Sequence, residues 1–137
     1  MIRLEQIRKT FYQDGRKIEA IRDVTLHIKP GEIYGIIGFS GAGKSTLVRC
    51  INLLERPTSG RVYVQGEELT ALSDAKLRQV RQGIGMIFQH FNLMPSRTVF
   101  DNIDLPLRRT GLPRSERAQK IAHLLELVDL ADKQQAY

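Results

Sequence analysis

A glycine-rich octapeptide, Gly38-Phe39-Ser40-Gly41-Ala42-Gly43-Lys44-Ser45, lies between two stretches of different periodicity and leaves few folds open. Upstream, the turn signal Lys29-Pro30-Gly31-Glu32 leads into Ile33-Tyr34-Gly35-Ile36-Ile37. Such an unbroken apolar run suits a strand covered on both faces, so a central strand is predicted there. Downstream, Leu47, Cys50, Ile51 and Leu54 recur on one helical face until Pro57 and Ser59-Gly60 stop the helix. A strand that runs through glycines straight into a helix is an α/β junction. Its turn aims the first N–H groups of the helix at whatever lies beyond the strand end.

The other segments extend this pattern. Ile2 and Leu4 alternate with polar neighbours, as do Val24, Leu26 and Ile28, which is the period of strands buried on one face. Val62-Tyr63-Val64 before Gly66 reads as a further strand, and Ser73 is placed to cap a short helix over Asp74 to Arg81. Ile84-Gly85-Met86-Ile87-Phe88 is a second buried run, ending at Gln89. Beyond Gly111-Leu112-Pro113, the residues Ala118, Ile121, Ala122, Leu125 and Val128 recur at helical spacing. Strands come first and helices crowd the end, so an α/β domain is expected, with a helical part from about Asn92 onward. No internal repeat and no low-complexity segment interrupts it.

The octapeptide matches the Walker A pattern, with the strand before it and the helix after it that the pattern requires. Gly41 and Gly43 have no Cβ to stop the backbone curling around a ligand, so successive N–H groups turn inward toward phosphate oxygens. Lys44 is suited to reach the β- and γ-phosphates as a mobile point charge. The Ser45 hydroxyl is suited to ligate the Mg²⁺ that bridges them, and Thr46 to donate toward the α-phosphate. The cofactor-binding set is therefore Gly38, Phe39, Ser40, Gly41, Ala42, Gly43, Lys44, Ser45 and Thr46. A plain glycine turn at a strand–helix junction is the alternative, but four specified positions rarely match by chance in so short a chain.

The string from Gly38 to Leu47, followed by Arg49-Cys50-Ile51-Asn52-Leu53-Leu54-Glu55-Arg56-Pro57-Thr58-Ser59-Gly60, resembles the ATP-binding subunits of ABC importers. Ile84 to Leu93 carries the same resemblance. The resemblance implies a P-loop NTPase fold of ABC-ATPase type: a mixed sheet around the P-loop helix, an N-terminal antiparallel β part, and the start of a helical subdomain. It implies a nucleotide-binding core over 1–91 and the helical subdomain over 92–137. It implies ATP and Mg²⁺ as ligands, with Lys44 and Gln89 catalytic and Ser45 and Gln89 at the metal. Gln89 would touch Mg²⁺ and the attacking water, and sense the membrane subunits. The family also stacks an aromatic residue of the N-terminal sheet on adenine, and Phe11 in Lys9-Thr10-Phe11-Tyr12 holds the matching place. Ordinary packing is the other reading of Phe11 or Tyr12; family position favours Phe11.

Gln89-His90-Phe91-Asn92-Leu93, together with Ser96-Arg97-Thr98-Val99-Phe100-Asp101-Asn102, is most similar to methionine importers; polar amino-acid importers usually differ at Ser96-Arg97. The implied function is coupling of ATP binding and hydrolysis to import of an amino acid, methionine before others. The alternatives are a nucleotide-binding fragment without turnover, or the ATPase of a polar amino-acid importer or lipoprotein-release system. The implied partners are membrane-spanning subunits docking on Gln89 to Asn102, a second copy of the ATPase and, indirectly, a substrate-binding protein. The implied location is cytoplasmic, peripheral on the inner face of the bacterial membrane. The family's signature sequence, Walker B acids and switch histidine do not occur in these 137 residues, so the chain is expected to be truncated before them and to bind ATP without efficient hydrolysis.

Composition excludes other classes. No apolar run is long enough to span a bilayer, and Met1-Ile2-Arg3-Leu4-Glu5 does not read as a secretory signal. The net charge of +6 permits a nucleic-acid partner, but Lys and Arg are scattered, without a basic block or interleaved aromatics, so none is expected. His27, His90 and His123 are too far apart in sequence for a metal site, and no Asn-Lys-x-Asp guanine motif occurs. The single cysteine, Cys50, suits a reducing compartment and is expected to be a small core residue.

Overall fold

The computed structural model describes all 137 residues, which form two compact units, Met1–Met86 and Ile87–Tyr137.

In the first unit a long hairpin, β1 (Ile2–Gln13) and β2 (Arg16–Ile28), is followed by helix α1 (Lys44–Ile51), strands β3 (Ser59–Val64) and β4 (Glu67–Glu68), and helix α2 (Asp74–Val80). The sheet is antiparallel throughout, in the order β2-β1-β3-β4. The hairpin turns at Asp14-Gly15, where both residues take positive φ, matching the twist of the flanking strands. In β1 the register slips between Leu4 and Ile7, with Gln6 at φ 50°. This bulge lets Leu4 and Ile7, three residues apart, both face the core, and both are fully buried. Leu47, Cys50 and Leu53, from α1 and just after it, pack with Leu4, Ile7, Ile21 and Val62 of the sheet. Each buried Leu or Ile removes enough apolar surface from water to contribute about 1.5–3 kcal/mol. α2 is capped as its sequence predicts, Ser73 Oγ accepting from the Lys76 N–H at 3.4 Å, and it adds Leu77 to the core.

Two expectations fail. Ile33–Ile37 is not a strand, and neither is Ile84–Phe88; both are irregular, and neither pairs with the four-stranded sheet. Ile36 and Ile84 touch the core, but Ile33, Ile37 and Ile87 are almost wholly exposed. A strand is defined by hydrogen bonds to neighbouring strands, and an apolar run shows only that its side chains suit burial. Only Ile36 of the first run and Ile84 of the second pack against the core, and the backbone of neither run joins a ladder. Leu54 also departs from the reading: α1 ends at Ile51, and Leu54 lies beyond it, exposed.

In the second unit, α3 (Val99–Leu107) and α4 (Arg114–Leu127) pack together. Thr98 caps α3 by accepting from the Asp101 N–H at 3.1 Å, and the Val99 and Phe100 N–H groups donate to the Ala136 and Gln134 carbonyls. Ile121 and Leu125 are buried as the helical spacing of α4 predicts, whereas Val128, just past its end, is exposed. Asp104 is buried, with its carboxylate shared between Arg117 Nε at 2.7 Å and Arg108 Nε at 2.8 Å. No helix of either unit is long and apolar enough to cross a membrane.

Candidate nucleotide-binding site

The glycine-rich loop belongs to the first unit. Gly38, Gly41 and Gly43 have φ of 155°, 80° and 87°, and the last two lie in the left-handed region that L side chains disfavour. Gly43 is constrained twice, because a Cβ there would overlap the carbonyl oxygen of Ala20 on β2. Contact between loop and hairpin is thus possible only with glycine. The loop folds back through a turn, Ala42 N–H to Phe39 C=O at 3.2 Å, and α1 starts at once, Leu47 N–H donating to Gly43 C=O at 2.8 Å.

Gly43 offers no side chain to cap α1, so no side-chain acceptor covers the first N–H groups of the helix. Lys44, half-buried, folds back and donates from Nζ to the Gly38 and Phe39 carbonyls, both at 2.7 Å. One ammonium thereby ties the loop to itself and places its charge inside the curl. Ser45 is exposed, Thr46 is partly buried and Phe39 projects almost fully exposed. A cavity of about 340 Å³ runs between Gly41–Lys44 and Glu19–Arg22 of β2. Backbone N–H donors, a helix N-terminus and one ammonium, with no carboxylate among the loop residues, form a donor set that fits a polyphosphate.

Phe11 sits on β1 opposite Ile18, two residues before Ala20, on the same hairpin that Gly43 contacts. Its ring is partly buried, whereas Tyr12 is mostly exposed. Gln89 belongs to the second unit, on an exposed bend. The loop residues Gly38 to Thr46 and Phe11 are therefore assembled within one unit, and Gln89 stands outside it. Cys50 is fully buried on α1, and burial pushes its thiol up to about 11, so it behaves as a core residue as expected.

Residues 21–137 match the family described as ABC transporter. The chain belongs to that family. It is 59% identical to "Methionine import ATP-binding protein MetN 3" of Pectobacterium atrosepticum, and 56% identical to the methionine import ATP-binding protein of Escherichia coli K12. Each match covers the whole chain but 40% of the relative, so the chain spans about two fifths of their length. Among solved structures it resembles the dimeric, post-hydrolysis state of an ATP-binding cassette bound to ADP and Pi: TM-score 0.90, 34% identity, covering 100% of this chain and 61% of that one. A dimeric bacterial ABC transporter cassette matches at TM-score 0.91 and 35% identity, over 98% of this chain and 60% of that one. The fold is that of ABC ATPase cassettes, and its four-stranded sheet is antiparallel.

Two contributions went unread in the sequence. Asn102 orders the 94–98 loop, its Nδ2 donating to the Met94, Arg97 and Thr98 carbonyls and its Oδ1 accepting from the Met94 N–H. Arg81 caps the end of the P-loop helix segment, donating to the Asn52 carbonyl at 2.8 Å and to the Leu53 carbonyl. No local pattern signals either one, because each bonds to backbone carbonyls.

Proposed function

We propose that this chain is the nucleotide-binding part of an ABC importer ATPase, whose complete form couples ATP binding and hydrolysis to uptake of an amino acid, methionine. The observation that carries the nucleotide reading is the loop geometry: two left-handed glycines and an uncapped helix start converge with Lys44 on one concave turn. Whole-chain identity of 56–59% to methionine import ATP-binding proteins supports the substrate. Lys44 and the loop amides would hold the phosphates, Ser45 would ligate Mg²⁺ and Phe11 would carry adenine; for Gln89 the role at the metal and in catalysis is the one the family resemblance implies. When bound, Mg²⁺ neutralises charge on the phosphates. Hydroxyl and amide oxygens are hard ligands, which suits this ion. We read 1–91 as the nucleotide core and 92–137 as the start of the helical subdomain.

Exposed apolar residues of the second unit support a docking partner. Phe91 is 93% exposed and Leu93 65%, and an apolar groove of about 690 Å³ is lined by Leu93, Met94, Ile103, Leu124 and Leu127. Such a groove suits an amphipathic helix, and we assign it to a cytoplasmic helix of the membrane-spanning subunits. A second ATPase copy completes the catalytic arrangement, the substrate-binding protein takes part indirectly, and the protein works at the inner face of the membrane. The 137 residues alone bind ATP but turn it over poorly, since no acidic pair after a buried strand is present to polarise water.

Calorimetry with MgATP tests the site. Lys44→Ala is expected to weaken binding at least tenfold, and unchanged affinity would refute the assignment. Uptake of labelled methionine by the complete transporter, with and without Lys44→Ala, tests the substrate. Transport of a polar amino acid in preference to methionine would favour the alternative importer class.

A further inference from the structure

Lys9 lies on β1, an inner strand paired with both β2 and β3, and its side chain is held closely. Its side chain is 14% exposed, and its Nζ donates to the Arg56 carbonyl at 2.8 Å and pairs with Glu55 Oε2 at 3.1 Å. The same ammonium lies 4.7 Å from the centroid of the Phe11 ring. Lys9 and Phe11 are two residues apart on β1, with a register shift between Lys9 and Thr10, and the ammonium-to-ring distance brings the two side chains together across it. Glu55 and Arg56 lie four and five residues past the end of α1, the helix that Gly43 precedes. One cation therefore joins the Phe11 ring to the segment that follows the P-loop helix.

The backbone repeats this connection. The Thr58 N–H donates to the Arg8 carbonyl at 2.7 Å, and Thr58 Oγ1 accepts from the Thr10 N–H at 3.0 Å. At the near end of α1, Gly43 packs against Ala20 of β2. The hairpin that carries Phe11 is thus fastened both to the start of the P-loop helix and to the segment that follows its end.

We propose that Lys9 is a positioning residue for the purine half of the nucleotide site: its ammonium covers one face of Phe11 and leaves the other for the base. This rests on the reading of Phe11 as the adenine platform. An aromatic face carries negative charge, so two stacked π-systems repel unless offset. A cation on the rear face draws that density away and makes the front face a better partner for an electron-rich purine. Because Glu55 and Arg56 hold the ammonium, the ring is already ordered when the base arrives, and stacking costs less side-chain entropy.

The test is calorimetry of the 137-residue chain with MgATP and with magnesium tripolyphosphate, which has the phosphates but no base. Lys9→Met keeps the stem and removes the charge. It is expected to weaken MgATP about three- to tenfold while tripolyphosphate stays within about twofold. Lys9→Arg, which keeps a cation over the ring, is expected to retain most of the preference for ATP. Phe11→Ala is expected to weaken MgATP by about fivefold or more, again sparing tripolyphosphate. Unchanged MgATP affinity in Lys9→Met, or equal loss for both ligands, overturns the proposal, the latter because Lys9 would then act on the loop or the fold at large. Unchanged MgATP affinity in Phe11→Ala instead overturns the platform reading, and the role of Lys9 with it.

Discussion

Gly43→Ala and Gly41→Ala add the same methyl group to the same loop, yet their costs are expected to differ. Both positions lie in the left-handed region, at φ 87° and 80°. An L residue there costs about 1–2 kcal/mol in backbone strain. For Gly41 the cost ends there, because nothing lies within 4 Å of the added Cβ. At Gly43 the Cβ overlaps the Ala20 carbonyl oxygen and comes within 3.3 Å of its carbon. Those atoms are backbone in a paired strand and cannot rotate away, so the loop or β2 must shift, adding about 1–3 kcal/mol. The totals are about 1–2 kcal/mol for Gly41→Ala and about 2–5 kcal/mol for Gly43→Ala. At about 3–5 °C per kcal/mol for a chain of this size, the expected melting shifts are roughly 3–10 °C and 6–25 °C. Thermal unfolding followed by circular dichroism measures both. Equal shifts, or a larger one for Gly41→Ala, would refute the claim that contact with β2 makes glycine obligatory at Gly43.

Asp104 supplies a pH-dependent prediction for the second unit. Hydrogen bonds from Arg117, then Arg108, hold its carboxyl below the usual carboxylate range. A depressed folded-state value means that its stabilising contribution is present above the unfolded value near 3.9 and is lost as pH falls through the folded one. Asp104→Asn should therefore lower the melting temperature near neutrality and flatten its fall between about pH 5 and 2; parallel profiles for variant and parent would refute the clamp. Cys50, with burial raising its thiol to about 11, should resist a disulfide reagent in the native chain at about pH 8 and react fully once unfolded. Rapid native labelling would contradict its place in the core. Single cysteines at Phe91 or Leu93 should crosslink to a membrane subunit in the complete transporter, and crosslinks confined to the other unit would exclude the groove as the docking surface.

The conformation of the 38–44 loop was legible from residue order because its determinants are local. Gly41 and Gly43 take backbone angles that only glycine adopts cheaply, and the helix begins at the next residue whatever else surrounds it. The same holds for the Ser73 cap of α2 and for the spacing that buries Ile121 and Leu125 on α4. Tertiary structure decided the rest, since those features depend on partners distant in sequence. Ile33–Ile37 and Ile84–Phe88 have the composition of buried strands, but strand formation requires a hydrogen-bonding neighbour, and none pairs with them here. The bulge at Gln6 reverses the simple alternation of β1, so that Ile7 rather than Gln6 follows Leu4 into the core. Lys9 would pass as one more scattered surface cation until Glu55 and Arg56, 46 and 47 residues further along, close around it. Such partnerships arise from packing between elements far apart in the chain, and no periodicity along it encodes them.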